Sequence, residues 1–104
     1  MIVVTTDAIV DRRIVEVFGL VMGNTVRARH LGKDVMALLR NVAGGEIGEY
    51  SRLLAESREQ AVSRMVGRAE ERGANAVVGL RFVTSVIMGG AAEILAYGTA
   101  VRIE

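Results

Sequence analysis

The chain predicts an α+β fold: a two-layer β-α-β-β unit in which one long helix packs on a three-stranded antiparallel or mixed sheet. Three observations carry this. Two stretches, 77–87 and 91–103, alternate in character with period 2 on either side of Met88-Gly89-Gly90, as the opposed side chains of neighbouring strands do. A third stretch, 14–29, alternates in the same way. Between them, 46–72 carries an apolar stripe at helical spacing and stops at Gly73, a residue suited to the left-handed cap of a helix.

In chain order, Ile2-Val3-Val4-Thr5 is short and β-prone and predicts an edge strand, docked on its own subunit or on the next. Residues 7–13 are polar enough for a turn. In 14–29, Ile14, Phe18, Leu20, Met22 and Val26 share one parity, while Val15, Val17, Gly19, Val21, Gly23 and Thr25 share the other. One face of this strand is bulky and the other small. Residues 27–33 form a basic connector, and a short helix is predicted for 34–41 from the spacing of Val35, Leu38 and Leu39. Gly44-Gly45 breaks it. In the long helix, Ile47, Tyr50, Leu54, Ala61, Met65 and Ala69 trace a stripe with Leu53, Val62 and Val66 beside it. Glu46 and Glu49 near its start and Arg68 and Arg72 near its end suit the helix dipole.

The last two strands repeat the division into faces. Val78, Leu80, Phe82 and Val86 oppose Val77, Gly79, Arg81, Val83 and Ser85 in parity. In 91–103, Leu95, Tyr97, Val101 and Ile103 oppose Ala92, Ile94, Ala96, Gly98 and Ala100. A two-residue loop at Gly89-Gly90 sets Phe82 opposite Tyr97 and Gly79 opposite Ala100, which gathers the large residues on one face. The long helix then covers that bulky face. The small face, with all four strand glycines Gly19, Gly23, Gly79 and Gly98 and with Ala96, is left open, and an open apolar face predicts self-association. The competing reading covers that face with the 34–41 helix of the same chain.

Composition bounds the function. The 104 residues are expected to form one domain spanning 1–104, and with only four aromatic residues its core must be aliphatic. Thirteen basic and twelve acidic residues leave a net charge of +1, without the basic stripe and stacking aromatics that would favour nucleic acid. The N-terminal stretch lacks a signal-peptide pattern. No apolar run approaches the roughly 18 to 20 residues of a membrane span, so a cytoplasmic location is expected. No cysteine is present, which removes disulfides, thiol catalysis and thiolate metal sites.

The segments Gly44-Gly45-Glu46, Gly73-Ala74-Asn75-Ala76-Val77-Val78-Gly79-Leu80-Arg81-Phe82 and Ala96-Tyr97-Gly98-Thr99-Ala100-Val101 together resemble the YbjQ-like family of uncharacterised proteins, sometimes labelled heavy-metal-binding. The match runs from Thr5-Thr6 through Gly23-Asn24-Thr25 to the last strand. The resemblance implies a dodecin-subunit-like fold with the last strand central, assembled as a homopentamer, with no established biochemical function.

The residues give little support to resident metal chemistry. Soft metals need thiolate, thioether or imidazole ligands, and the chain offers one histidine, His30, with methionines at 1, 22, 36, 65 and 88 and no ligand-motif spacing among them. Met22 and Met65 fit core positions, and His30 stands among Arg29 and Lys33, which oppose a cation. Within one subunit no metal site is expected, and no cofactor is identified; His30 is a weak candidate, through copies gathered on a symmetry axis. A heavy metal is implied by the resemblance alone.

Arg81 and Glu93 are charges inside apolar strands, and in the two-residue-loop register they point to opposite faces. Arg81 is expected to pair with an acid of a neighbouring subunit or to reach the sheet edge, ahead of recognising an anion through its planar fork. The helix arginines interleave with glutamates three or four residues away, such as Arg52 with Glu56 and Arg68 with Glu71, and predict a solvated face. Gly44-Gly45 before Glu46 and Glu49 suits a hinge better than an anion site. For catalysis, Ser51, Ser57, Ser63 and Ser85 have one histidine to share and no nucleophile-elbow context. The favoured function is therefore a non-enzymatic homo-oligomeric binding or scaffolding protein, with Arg81, Gly19, Gly23, Gly79, Gly98, Ala96 and Tyr97 as ligand or interface candidates and an unknown ligand. The alternatives are a heavy-metal-binding protein with ligands assembled between subunits, and an enzyme with an inter-subunit cleft offering Arg81, Tyr97 or Tyr50.

Overall fold

All three long alternating stretches form strands, and the helical stripe forms a helix. The computed structural model describes residues 1–27, 48–87 and 91–104. The elements are β1 (Ile2–Val3), β2 (Ile14–Arg27), α1 (Gly48–Glu71), β3 (Ala76–Ile87) and β4 (Ala91–Ile103). They build one mixed sheet in the order β1-β3-β4-β2, with α1 packed on it. The sheet has four strands rather than three because Ile2 and Val3 pair in parallel with Ala76 and Val77 of the same chain. The final strand is central, antiparallel to both β2 and β3. The predicted 34–41 helix, the Gly44-Gly45 hinge, His30 and the Gly89-Gly90 loop lie outside the described residues.

Helix α1 ends as Gly73 suggests. Gly73 takes φ +90°, its N–H donates to the Glu70 carbonyl at 2.9 Å, and the Ala74 N–H donates to the Ala69 carbonyl at 3.1 Å. These are the two bonds of a Schellman cap, which satisfy carbonyls the helix cannot. Ala74 then turns inward as a member of the core. Two residues on, the Asn75 side chain takes the place of a strand partner: its Nδ2 donates to the Ile103 carbonyl at 2.9 Å and its Oδ1 accepts from the Ile103 N–H at 2.8 Å. One tetrapeptide, Gly73-Ala74-Asn75-Ala76, thus stops the helix, seeds the core, holds the end of β4 and starts β3.

The pairing of β3 with β4 differs from the expected register. Ile87 pairs with Ala91, so three residues separate the strands. Phe82 therefore faces Ala96 and Tyr97 faces Arg81. A further shift falls between Val78 and Arg81, where Gly79 (φ +67°) and Leu80 together oppose Gly98. Glycine at a bulge supplies the positive φ that other residues resist. The bulge is held from outside by the N-terminal segment, since the Gly79 N–H donates to the Thr6 carbonyl at 2.8 Å and the Leu80 N–H to the Val4 carbonyl at 3.0 Å. Its effect is to reverse the parity of β3: Val77 points toward the helix before it, Phe82 after it. A second shift in β2, between Val17 and Gly19, places Gly19 (φ +98°) and Phe18 opposite Ala100.

The helix also covers the other face from the one expected. The core beneath α1 gathers Val21, Val77, Ile94, Ala96 and Ala100 of the sheet with Ala61, Met65 and Ala69 of the helix, which is the small face. The physical reason lies in the helix stripe itself. Its fully covered positions are Ser57, Ala61, Met65 and Ala69, small residues around one methionine, and small against small lets the two backbones approach at interior packing density. A β-carbon on Gly23 would overlap the helix backbone at Ala61 and Met65. Bulky residues on that face would hold the layers apart. At the far end of the opposite face, Ala76, Val78, Val101 and Ile103 form a second cluster under Val4, Ile9 and Ile14. The remainder of that face is open.

Candidate functional site

The residues of the open part of the sheet fall in rows across β2, β4 and β3. Leu20 lies beside Thr99; Met22 beside Tyr97 beside Arg81; Asn24 beside Leu95 beside Val83; Val26 beside Glu93 beside Ser85. Leu20 is 56% exposed, Val26 53%, Val83 42% and Met22 41%, while Leu95 and Tyr97 are half-buried. Four large aliphatic side chains this exposed on one side of a sheet are a patch, not scattered surface residues. Within it the two charges are on the same face, correcting the expectation that they oppose. Glu93 accepts a hydrogen bond from Asn24 Nδ2 at 2.9 Å. Arg81 reaches the sheet edge instead of an acid, donating from Nη1 to the carbonyls of Thr5 and Leu80, each at 2.8 Å.

The small-residue candidates have other places. Ala96 and Gly98 are buried, with Ala96 under α1 and Gly98 so close to β3 that an added β-carbon would stand 2.7 Å from Val77 Cγ1. Gly23 lies beneath the helix, and Gly19 and Gly79 each sit in a bulge. Of the seven candidates, Tyr97 and Arg81 belong to the open face; the other five shape the protomer itself. Tyr50 lies in α1, with its side chain outside the described residues.

A second exposed feature lies between α1 and β3, where Phe82 and Val62 floor a shallow groove rimmed by Arg58, Glu59 and Ser63. Phe82 is 43% exposed there, because α1 lies over β2 and β4 and leaves β3 beyond its flank. Among the described residues no group of three or more histidine, cysteine, aspartate or glutamate side chains is placed to hold a metal ion. Among the same residues, every buried side-chain nitrogen and oxygen has a hydrogen-bond partner, so no buried polar group waits for a ligand.

The arginines of α1 make an arrangement that the charge pattern alone did not reveal. Arg64 Nη1 donates to the Asn24 carbonyl at 2.6 Å, Arg68 Nη1 to the Met22 carbonyl at 2.8 Å, and Arg72 Nη1 to the Leu20 carbonyl at 2.9 Å and the Phe18 carbonyl at 3.4 Å. Arg68 is thus engaged with the strand. Ion pairs among the described residues join Arg13 to Glu104 and Arg102 to Glu16, both at 2.7 Å. The signal was present in the four-residue spacing of 64, 68 and 72, but nearby glutamates offered a competing local explanation.

Comparison with known proteins places this geometry. Residues 1–104 match the profile of the YbjQ_1 family, whose description reads "Putative heavy-metal-binding". A UPF0145 protein of Methanosarcina acetivorans is 57% identical over 103 residues, covering 99% of this chain and 97% of the relative. Another from Pyrococcus abyssi is 60% identical over 104 residues, covering 100% of this chain and 91% of the relative. Among solved structures, a DUF74-family protein of unknown function from Pediococcus pentosaceus is similar in fold, with a TM-score of 0.54 at 16% identity, over 100% of this chain and 98% of that one.

Proposed function

The chain belongs to the YbjQ_1 family, and from that premise we propose that it is a non-enzymatic homo-oligomeric binding or scaffolding protein whose copies meet through the open sheet face. The observation that carries this is the cluster of Leu20, Met22, Val26 and Val83, all exposed, on the side of the sheet that α1 does not cover. Leaving such a patch in water is unfavourable by about 25 cal/mol per Å² of apolar surface, and contact with another copy removes that cost. Half-buried Tyr97 in the middle row supplies the kind of anchor that interfaces favour. The number of copies, five, rests on the resemblance to the family and not on the shape of the face.

The absence of catalysis is part of the proposal. It rests on the thin catalytic inventory of the chain and on an open face that groups aliphatic side chains, not a nucleophile with a base. Native mass spectrometry of tag-free protein at low micromolar concentration tests the assembly. A mass of five chains is the expected result; a single-chain mass overturns it.

A further inference from the structure

We infer that Arg64, Arg68 and Arg72 seal the free edge of β2 against the addition of a strand from another copy. Among the described residues β2 is the last strand on its side of the sheet. Such an edge presents unpaired N–H and C=O groups to any extended chain that meets it. In an antiparallel ladder the N–H and C=O of one residue point to the same side. The outward residues of β2 are those whose carbonyls the arginines take: Leu20, Met22 and Asn24.

The match is one of repeat distances. Four residues of helix advance about 6 Å, and two residues of strand advance about 6.6 Å. The order also runs in opposite senses, 64-68-72 against 24-22-20, so each turn of helix meets the next outward carbonyl along three rungs. A guanidinium lying on a carbonyl occupies the position that an incoming N–H needs, and it places a fixed positive charge where a second copy of the same edge would place its own. The opposite side of the sheet is treated differently. There β1 and the segment after it cover β3 only as far as Leu80, and among the described residues no strand of the sheet lies outside 82–87.

The inference does not depend on the open face, because it concerns the sheet's edge. The test compares Arg68→Gln with Arg72→Gln in one chain against Arg52→Gln with Arg58→Gln in another, which lose equal charge on the same helix. Light scattering over a concentration series and amide exchange at Leu20 and Met22 are the readouts. The edge variant is expected to at least double in mass relative to the unsubstituted protein as concentration rises, with exchange at those two amides slowed at least tenfold. The control is expected to keep the unsubstituted mass, whatever that mass is. A folded edge variant of unchanged mass overturns the inference, as does added mass without slowed exchange at Leu20 and Met22, or equal association in both variants. If circular dichroism shows that the double variant does not fold, the single variants Arg64→Gln, Arg68→Gln and Arg72→Gln are read by the same criteria.

Discussion

Gly23 and Met65 are in contact through their backbones: a β-carbon on Gly23 would collide with the Met65 amide nitrogen. The helix–sheet distance is set there by main chain alone. Neither partner can yield by changing a rotamer.

Gly23→Ala is therefore expected to be costly despite adding one methyl group. Overpacking of a tight core costs about 1 to 3 kcal/mol, and the upper end applies because the obstacle is helix backbone. Urea unfolding followed by circular dichroism measures it. A loss below about 0.5 kcal/mol, the size of an ordinary surface change, would show that the helix can move outward.

Asn75→Ala removes both bonds that its amide makes with Ile103. At about 1 kcal/mol each net, the expected loss is roughly 2 kcal/mol. Faster amide exchange at Ile103 should accompany it, while Val21 beneath the helix keeps its protection. Uniform loss of protection would mean that Asn75 supports the whole fold and not the end of β4.

Val83→Lys and Val26→Lys place a charge on the open face at side chains already 42% and 53% exposed. Protomer stability should change by less than about 0.5 kcal/mol, whereas the native mass should fall. Gly98→Leu should behave in the opposite way, losing fold before assembly, because Val77 already occupies the space beside it. If Val83→Lys keeps the native mass and Gly98→Leu dissociates a folded protein, the interface is not the open face.

For metals, the expected outcome of equilibrium dialysis with zinc, copper and nickel is no stoichiometric uptake by the tag-free protein, and none by His30→Ala. Uptake of one ion or more per chain that His30→Ala abolishes would make His30 a ligand, with the remaining donors drawn from other copies.

The strands and the helix were legible because hydrophobic alternation and the 54-61-65-69 spacing are local. Gly73 announced its own cap. The side of the sheet that the helix would choose was not legible, since period 2 defines two faces without saying which is inward. Size misled as well: bulky residues look like core, but a helix stripe of serine and alanine fits best on glycine and alanine. The bulge at Gly79 and Leu80 hid the register further, by exchanging the faces of β3 midway. Of the candidate site, Tyr97 and Arg81 were found through their place within alternating strands. Leu20, Met22, Val26 and Val83 were missed as surface because apolar residues in a strand were assigned to the layer beneath the helix or to a small face, and only long-range pairing decides between those.

The bare contact at Gly23 also constrains how the sequence can change over time. In most cores a larger side chain in one layer is accommodated by a smaller one opposite, so the two positions drift together. Here the opposing atoms are peptide groups at Ala61 and Met65, which every residue possesses. Any lineage that enlarges this position has to move the entire helix, because the other side has nothing left to give up.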